Sequence, residues 1–122
     1  MKPCVAVVED NPDNRLLVRV LLEDLYEVVE FETGPEALAG LPTVSAEVVL
    51  MNISLPGMDG TEALTHLRAH DELRSLPVIA LTAHAMAGDR QRYLDLGFDD
   101  YVAKPIVDEA LLLAAIARCL AK

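Results

Sequence analysis

Five short apolar runs, each about one strand long and none of them strictly alternating, constrain this chain more than any other feature. They lie at Cys4 to Val8, Glu27 to Phe31, Ala46 to Met51, Pro77 to Leu81 and Asp100 to Ala103, and are rich in Val, Ile and Leu. A strand with one wet face alternates apolar with polar residues, whereas a strand covered on both faces stays apolar throughout. Helical patterns fill every gap between the runs. Five β/α units result, the pattern of a doubly wound parallel sheet, whose ligand site lies beyond the carboxyl ends of the strands where the strand order reverses. At 122 residues the chain makes one domain, spanning residues 1–122.

The helices carry their own boundary signals. Asn11 as N-cap and Pro12 at the first helical position open the first, followed by Leu16, Leu17, Val20, Leu21 and Leu25 at helical spacing. The second runs from Gly34 to Leu41 and ends at Pro42. The third starts near Gly60, carries Leu64 and Leu67, and gives way to a strand at Pro77. The fourth spans Ala85 to Leu96 and stops at Gly97, a C-terminal cap. From about Asp108 the fifth turns Leu111, Leu112, Ala115, Ile116 and Leu120 inward, with Arg118 and Lys122 near its negative end.

Composition narrows the function classes. A net charge of −10 argues against a phosphate-contacting surface, so nucleic acid is not expected as a direct partner. No apolar run approaches the length of a bilayer span, and the start MKPCVAVVEDN turns acidic too soon for a secretory leader. Cys4 and Cys119 form neither a disulfide framework nor a metal-ligand spacing. Both read as structural thiols of a cytoplasmic protein.

The polar residues at the strand ends are Glu9 and Asp10, then Asn52, Thr82 and Lys104. Adjacent carboxylates repel unless a cation or water lies between them, so Glu9 and Asp10 suggest a divalent metal site, although alone such a pair is more often a solvated loop start leading into a helix cap. Lys104 before Pro105 places a cation at the same rim and invites a special peptide geometry. Two carboxylates, a hydroxyl and an ammonium are what phosphoryl transfer requires apart from the nucleophile.

In order and spacing, VVEDN, VLMNISLPGMDG, VIALTAHA and YVAKPI resemble the four landmarks of the response-regulator receiver family of two-component signalling, over nearly the whole chain. The resemblance implies a CheY-like, flavodoxin-like (βα)5 fold with strand order 2-1-3-4-5. It also implies an Mg²⁺ site in which Asp10 is a direct ligand, Glu9 acts through water and the Ser54 carbonyl completes the protein's share. Thr82 and Lys104 would hold phosphoryl oxygens, the Lys104 to Pro105 bond would be cis, and Tyr101 would be the aromatic that follows Thr82. Ala83 would leave the site open to a donor, while Ser54 and His84 would tune phosphoryl lifetime. The implied partners are a histidine kinase or histidine phosphotransferase, and a downstream protein on the face of the fourth helix, fifth strand and fifth helix. No effector domain is expected after Lys122, which favours a protein output over DNA binding. Val107 departs from the polar cap expected before the last helix, with Asp108 and Glu109 in partial compensation.

The larger departure is Asn52, which occupies the position matching the phosphoacceptor aspartate. An amide oxygen is uncharged and a poor nucleophile, so phosphorylation is expected to be blocked and Mg²⁺ binding, where the amide carbonyl remains a ligand, to be weakened. Two accounts stand: Asn52 replaces a natural aspartate and traps the unphosphorylated state, or it is native to a phosphorylation-independent pseudo-receiver that works as a protein interaction module. Spontaneous deamidation is disfavoured by the bulk of Ile53. An unrelated enzyme finds little support. His66 and His70 stand four apart but off the core face set by Leu64 and Leu67, no HExxH pattern occurs, and Gly57 and Gly60 lack the spacing of a nucleotide loop.

Overall fold

The computed structural model describes residues 2–83, 89–104 and 109–121. Strands β1 (Cys4–Val8), β2 (Glu27–Phe31), β3 (Val48–Asn52), β4 (Val78–Thr82) and β5 (Asp100–Ala103) alternate with helices α1 (Pro12–Leu22), α2 (Gly34–Gly40), α3 (Gly60–Ala69), α4 (Asp89–Leu96) and α5 (Glu109–Leu120). All four strand pairings are parallel, in the order 2-1-3-4-5. β3 and β4 start later than the apolar runs do and end one residue further on. Asn52 and Thr82 are thereby the last residues of their strands.

Alternate strand residues feed two cores. Ala6, Val8, Val49, Met51, Val78 and Ala80 face α2, α3 and α4. Val5, Val7, Val48, Leu50, Ile79 and Leu81 face α1 and α5. β3 and β4 are buried throughout, as the apolar runs require, but the edge strands β2 and β5 are only partly covered. An edge strand has a neighbour on one side only, which is why β2 tolerates Glu27 and Glu30.

Two helices present different faces from those expected. α1 begins as anticipated, with the Asn11 side chain accepting from the amides of Asp13 and Asn14. Its buried residues, however, are Val18 and Leu22, while Leu16, Leu17, Val20 and Leu25 are all more than 40% exposed. The apolar residues of α1 outnumber what one edge of the sheet can cover, and the stripe that wins is the i, i+4 pair aligned with Val5 and Val7. In α5 the inward stripe is Leu112, Ala115, Ile116 and Cys119, an i, i+3, i+4, i+7 series. Leu111 lies about 100° around the helix from it and is exposed. α2 stops at Gly40, and Leu41–Thr43 forms a single 3₁₀ turn around Pro42. Gly97 closes α4 with φ +113°, a conformation suited to glycine. Residues 85–88, expected as the start of α4, lie outside the described residues, as do Val107 and Asp108. Cys4 is partly and Cys119 fully buried, and burial, with Glu27 and Glu47 nearby, pushes the Cys4 thiol up.

Two contacts fix the frame around the strand ends. The Gly60 amide donates to the Ile53 carbonyl at 2.8 Å, and a Cβ on Gly60 would meet the Asn52 carbonyl oxygen at 2.5 Å. Gly60→Ala is therefore expected to lower stability by about 1–3 kcal/mol in urea unfolding, the usual cost of forced overpacking. An unchanged midpoint would show that α3 does not rest on the end of β3.

On the opposite flank Asp100, buried in β5, accepts from Arg90 of α4 at 3.0 Å and from Arg118 of α5, and from the Tyr101 amide at 2.8 Å. Burial pushes its carboxyl up, but the Arg118 and Tyr101 hydrogen bonds, with the charges of Arg118 and Arg90, outweigh it and hold the group below the ordinary carboxylate value. A lowered folded-state pKa contributes stability above the unfolded value and loses it as pH falls through the folded one. The stability gap between the protein and Asp100→Asn is thus expected to be steady near neutrality and to close below about pH 4, measured by urea midpoints.

Candidate functional site

The strand ends meet at one rim. β1 lies between β2 and β3, so the chain leaves β1 for one face of the sheet and β3 for the other, and a cleft opens between the two departing loops. Glu9 follows β1 and is pinned by its amide to the Phe31 carbonyl at 3.0 Å. Lys104 follows β5 and donates its amide to the Thr82 carbonyl at 2.7 Å.

Glu9 is 1% exposed and is the centre of the cluster. Its Oε1 accepts from the Lys104 Nζ at 2.7 Å, and its Oε2 accepts from the Asn52 Nδ2 at 2.9 Å and the Asn11 amide at 3.2 Å. The Asn52 side chain, itself buried, also donates to Asp10 Oδ1 at 3.2 Å, and its nitrogen lies 3.5 Å from the Ser54 carbonyl oxygen. Its Oδ1 accepts from the Ser54 amide at 3.3 Å. The three oxygens that the receiver resemblance assigns to a metal thus converge on an amide NH₂. Glu9 and Asp10 are two carboxylates, and among the described residues no group of three or more His, Cys, Asp or Glu is placed to hold a metal. His66 and His70 are exposed on and just after α3.

Of the other expected residues, Thr82 is buried and its hydroxyl lies 3.1 Å from the Tyr93 hydroxyl, within hydrogen-bond reach. Tyr101 is half-buried, its ring 6.0 Å from the Tyr93 ring. Ala83 is exposed and, with Glu9, Leu17, Leu81 and Lys104, lines a cavity of about 260 Å³ between the site and α1. Pro105, with the expected cis bond, and His84 lie outside the described residues.

Sequence reasoning passed over two contributors. Arg15 donates through Nη1 to the carbonyls of Glu9 at 2.9 Å and Asp10 at 3.1 Å while facing Glu30 and Glu32, and so braces the acidic loop against β2. The other is Tyr93, the one aromatic in the polar stretch DRQRYLDL, which a search for lone apolar anchors on polar helices would have flagged.

Comparison with known proteins agrees with this geometry. The response regulator receiver domain model matches residues 5–117. The chain is 46% identical over 113 residues to the sensor protein GacS of Pseudomonas syringae pv. syringae, covering 89% of this chain and 12% of that protein. It is 42% identical over 107 residues to the polar-differentiation response regulator DivK of Brucella anthropi, covering 87% of each. Among solved structures, the receiver domain of sensor histidine kinase PA1611 from Pseudomonas aeruginosa, with a magnesium ion in its active-site cleft, superposes with a TM-score of 0.89 at 34% identity, each chain covered completely. The chain belongs to the response regulator receiver domain family, the signalling modules of two-component systems. It spans about an eighth of the length of GacS and most of the length of DivK.

The burial of Glu9 makes its partners measurable. Lys104→Met is expected to cost up to about 3 kcal/mol, the lower end for removing one partner of a buried pair, because Lys104 retains some solvent. Adding Glu9→Gln to Lys104→Met should recover much of that loss in urea unfolding. Additive costs would mean that the two side chains are not coupled.

Proposed function

We propose that this chain is a receiver module, residues 1–122, in which Asn52 fills the phosphoacceptor position, so that this form keeps a phosphoryl-binding pocket and does not accept the phosphate. The observation that carries the reading is the place of the Asn52 amide, buried at the end of β3 where Glu9, Asp10 and the Ser54 carbonyl converge and with Lys104 bound to the same Glu9. A carboxylate there has an oxygen able to attack the phosphorus of a phosphohistidine, forming an O–P bond as the P–N bond to the donor breaks. The amide offers only a neutral oxygen.

The donor class is a histidine kinase or histidine phosphotransferase. Exposed Leu16, Leu17 and Val20 on α1 supply an apolar surface for it, and Leu17 also lines the cavity that reaches Glu9 and Lys104. Thr82 and Lys104 receive the phosphoryl oxygens, and Ala83 leaves the approach open. The downstream protein reads the face of α4, β5 and α5, whose two helices Asp100 ties together.

The donor set fits a divalent cation in part. Asp10 and the Ser54 carbonyl would bind it directly and Glu9 through water, while Asn52 can contribute its oxygen only after its amide turns over. Such a cation neutralises the phosphoryl oxygens. The present amide orientation already satisfies the acidic pair, which favours weaker Mg²⁺ binding than in an aspartate form. The same self-satisfaction supports a second reading, a phosphorylation-independent pseudo-receiver acting as an interaction module, since the pocket is quiet without a metal.

Intact-mass measurement after incubation with Mg²⁺ and a small phosphodonor is expected to show no change for this protein and one added phosphoryl group for Asn52→Asp. Phosphate on the Asn52 protein would overturn the blocked acceptor, and none on Asn52→Asp would overturn the acceptor reading. Without metal, Asn52→Asp is expected to melt below the parent, because a third carboxylate replaces a donor. Adding Mg²⁺ should raise its Tm more than the parent's.

A further inference from the structure

Thr82 and Tyr101, the two residues read above as the switch, share one side chain, and it belongs to neither. Tyr93 is 2% exposed in α4. Its hydroxyl lies 3.1 Å from Thr82 Oγ1, and its ring lies 6.0 Å from Tyr101 at 33° and 5.9 Å from Phe98 nearly edge-on. Arg92 donates through Nη2 to the same hydroxyl at 3.0 Å, with its guanidinium 4.9 Å from the centre of the ring.

We propose that Tyr93 is a positioning residue that latches the Thr82 hydroxyl in the resting state and hands its departure to α4. The proposal rests on the acceptor reading of Asn52. A threonine hydroxyl has one proton and two lone pairs. A hydroxyl drawn to a phosphoryl oxygen gives up its geometry toward Tyr93, so the latch opposes activation by the worth of one buried hydrogen bond. Among the described residues, release leaves Arg92 as the phenol's remaining hydrogen-bond partner, on the helix that forms part of the proposed output face. It also removes the constraint on the ring against which Tyr101 packs. Contacts present in the structure thus join Thr82, Tyr101 and α4, and the bound and released Thr82 hydroxyl are the two arrangements through which they would couple. Tyr93 touches no phosphoryl group and acts through Thr82.

The test uses Asn52→Asp as the parent and trifluoroberyllate with Mg²⁺ as the phosphoryl analogue, with affinity read by titration and the Tyr93–Thr82 contact read separately by a stability cycle. Tyr93→Phe keeps the ring and removes the latch. It is expected to tighten trifluoroberyllate binding about two- to tenfold, the span of one hydrogen bond's net worth. In a Thr82→Val background the same substitution should change affinity less than twofold, and the urea stabilities of the two single variants and the double variant should be non-additive.

Unchanged affinity in Tyr93→Phe would overturn the latch even where the stability cycle shows coupling, because the bond would then be structural only. Additive stabilities would overturn it as well. If the Asn52→Asp parent itself fails to bind trifluoroberyllate, the acceptor reading falls and the latch with it. That result differs from a failed latch, in which the parent binds and Tyr93→Phe binds equally. Thr82→Ser, which retains a hydroxyl, should retain the Tyr93 effect and so separates loss of the bond from damage to β4.

Discussion

A carboxylate with 1% of its surface exposed sets the terms for everything at the rim of this sheet. Burying an ionised group uncompensated costs several kcal/mol, so Glu9 is tenable only where donors reach it. Besides the nearby Asn11 amide, they come from two other places in the sheet. Asn52 is supplied by the neighbouring β3, and Lys104 by β5, which lies three strands away and requires the long stem of a lysine. A parallel sheet in the order 2-1-3-4-5 brings those carboxyl ends to one edge, and the reversal beside β1 leaves room between the loops. The Glu9 cluster is thus the product of topology, and it ties the residues just after β1 and β5 to the last residue of β3.

Much of this was legible in residue order. The runs at Cys4 to Val8, Glu27 to Phe31 and Asp100 to Ala103 became strands with those very limits, and Asn11 with Pro12 marked the start of α1 by capping chemistry that acts locally. The residues that meet at the rim, Glu9, Asp10, Asn52 and Lys104, are those picked out by reading the ends of strands, a rule that needs only the element pattern. What escaped was tertiary in origin. The choice of Val18 and Leu22 over Leu16, Leu17 and Val20 depends on which stripe of α1 meets Val5 and Val7, and periodicity alone leaves several stripes open in so leucine-rich a helix. Arg15 and Tyr93 escaped for a similar reason, since their partners lie on β2, in the loop after β1, and at the end of β4.

The two faces of the sheet carry different loads. On one side α1 and α5 cover it, and α1 shows solvent an apolar row beside the site, the kind of surface that a docking partner covers. On the other side α4 is polar in sequence and anchored by few buried residues, Tyr93 chief among them, and its flank is tied to α5 through Asp100. Among the described residues of α4, Tyr93 is the buried one, so losing its single hydrogen bond is a larger share of what fixes this segment than it would be under a full apolar stripe. The two faces of the sheet thus differ in kind, one ending in an exposed apolar row on α1 and the other in a polar helix.

Asn52 alters this system twice over. Glu9 and Asp10 set against Lys104 leave a net formal charge of −1 at the rim. An aspartate at position 52 would add one more negative charge and remove the NH₂ that now bonds Glu9 and Asp10. Like charges at such range raise the cost of ionisation or call in a cation. The amide answers that demand with its own hydrogens. An amide at this position therefore carries no anionic oxygen and, at the same atoms, eases the repulsion between Glu9 and Asp10. Charge matching alone leaves Thr82 and Lys104 with different standing. Lys104 is still required, because Glu9 is buried with or without a phosphoacceptor. The Thr82 hydroxyl has no such duty to Glu9, and its bond to Tyr93 is the point at which a chain bound to phosphoryl chemistry and one freed from it would part.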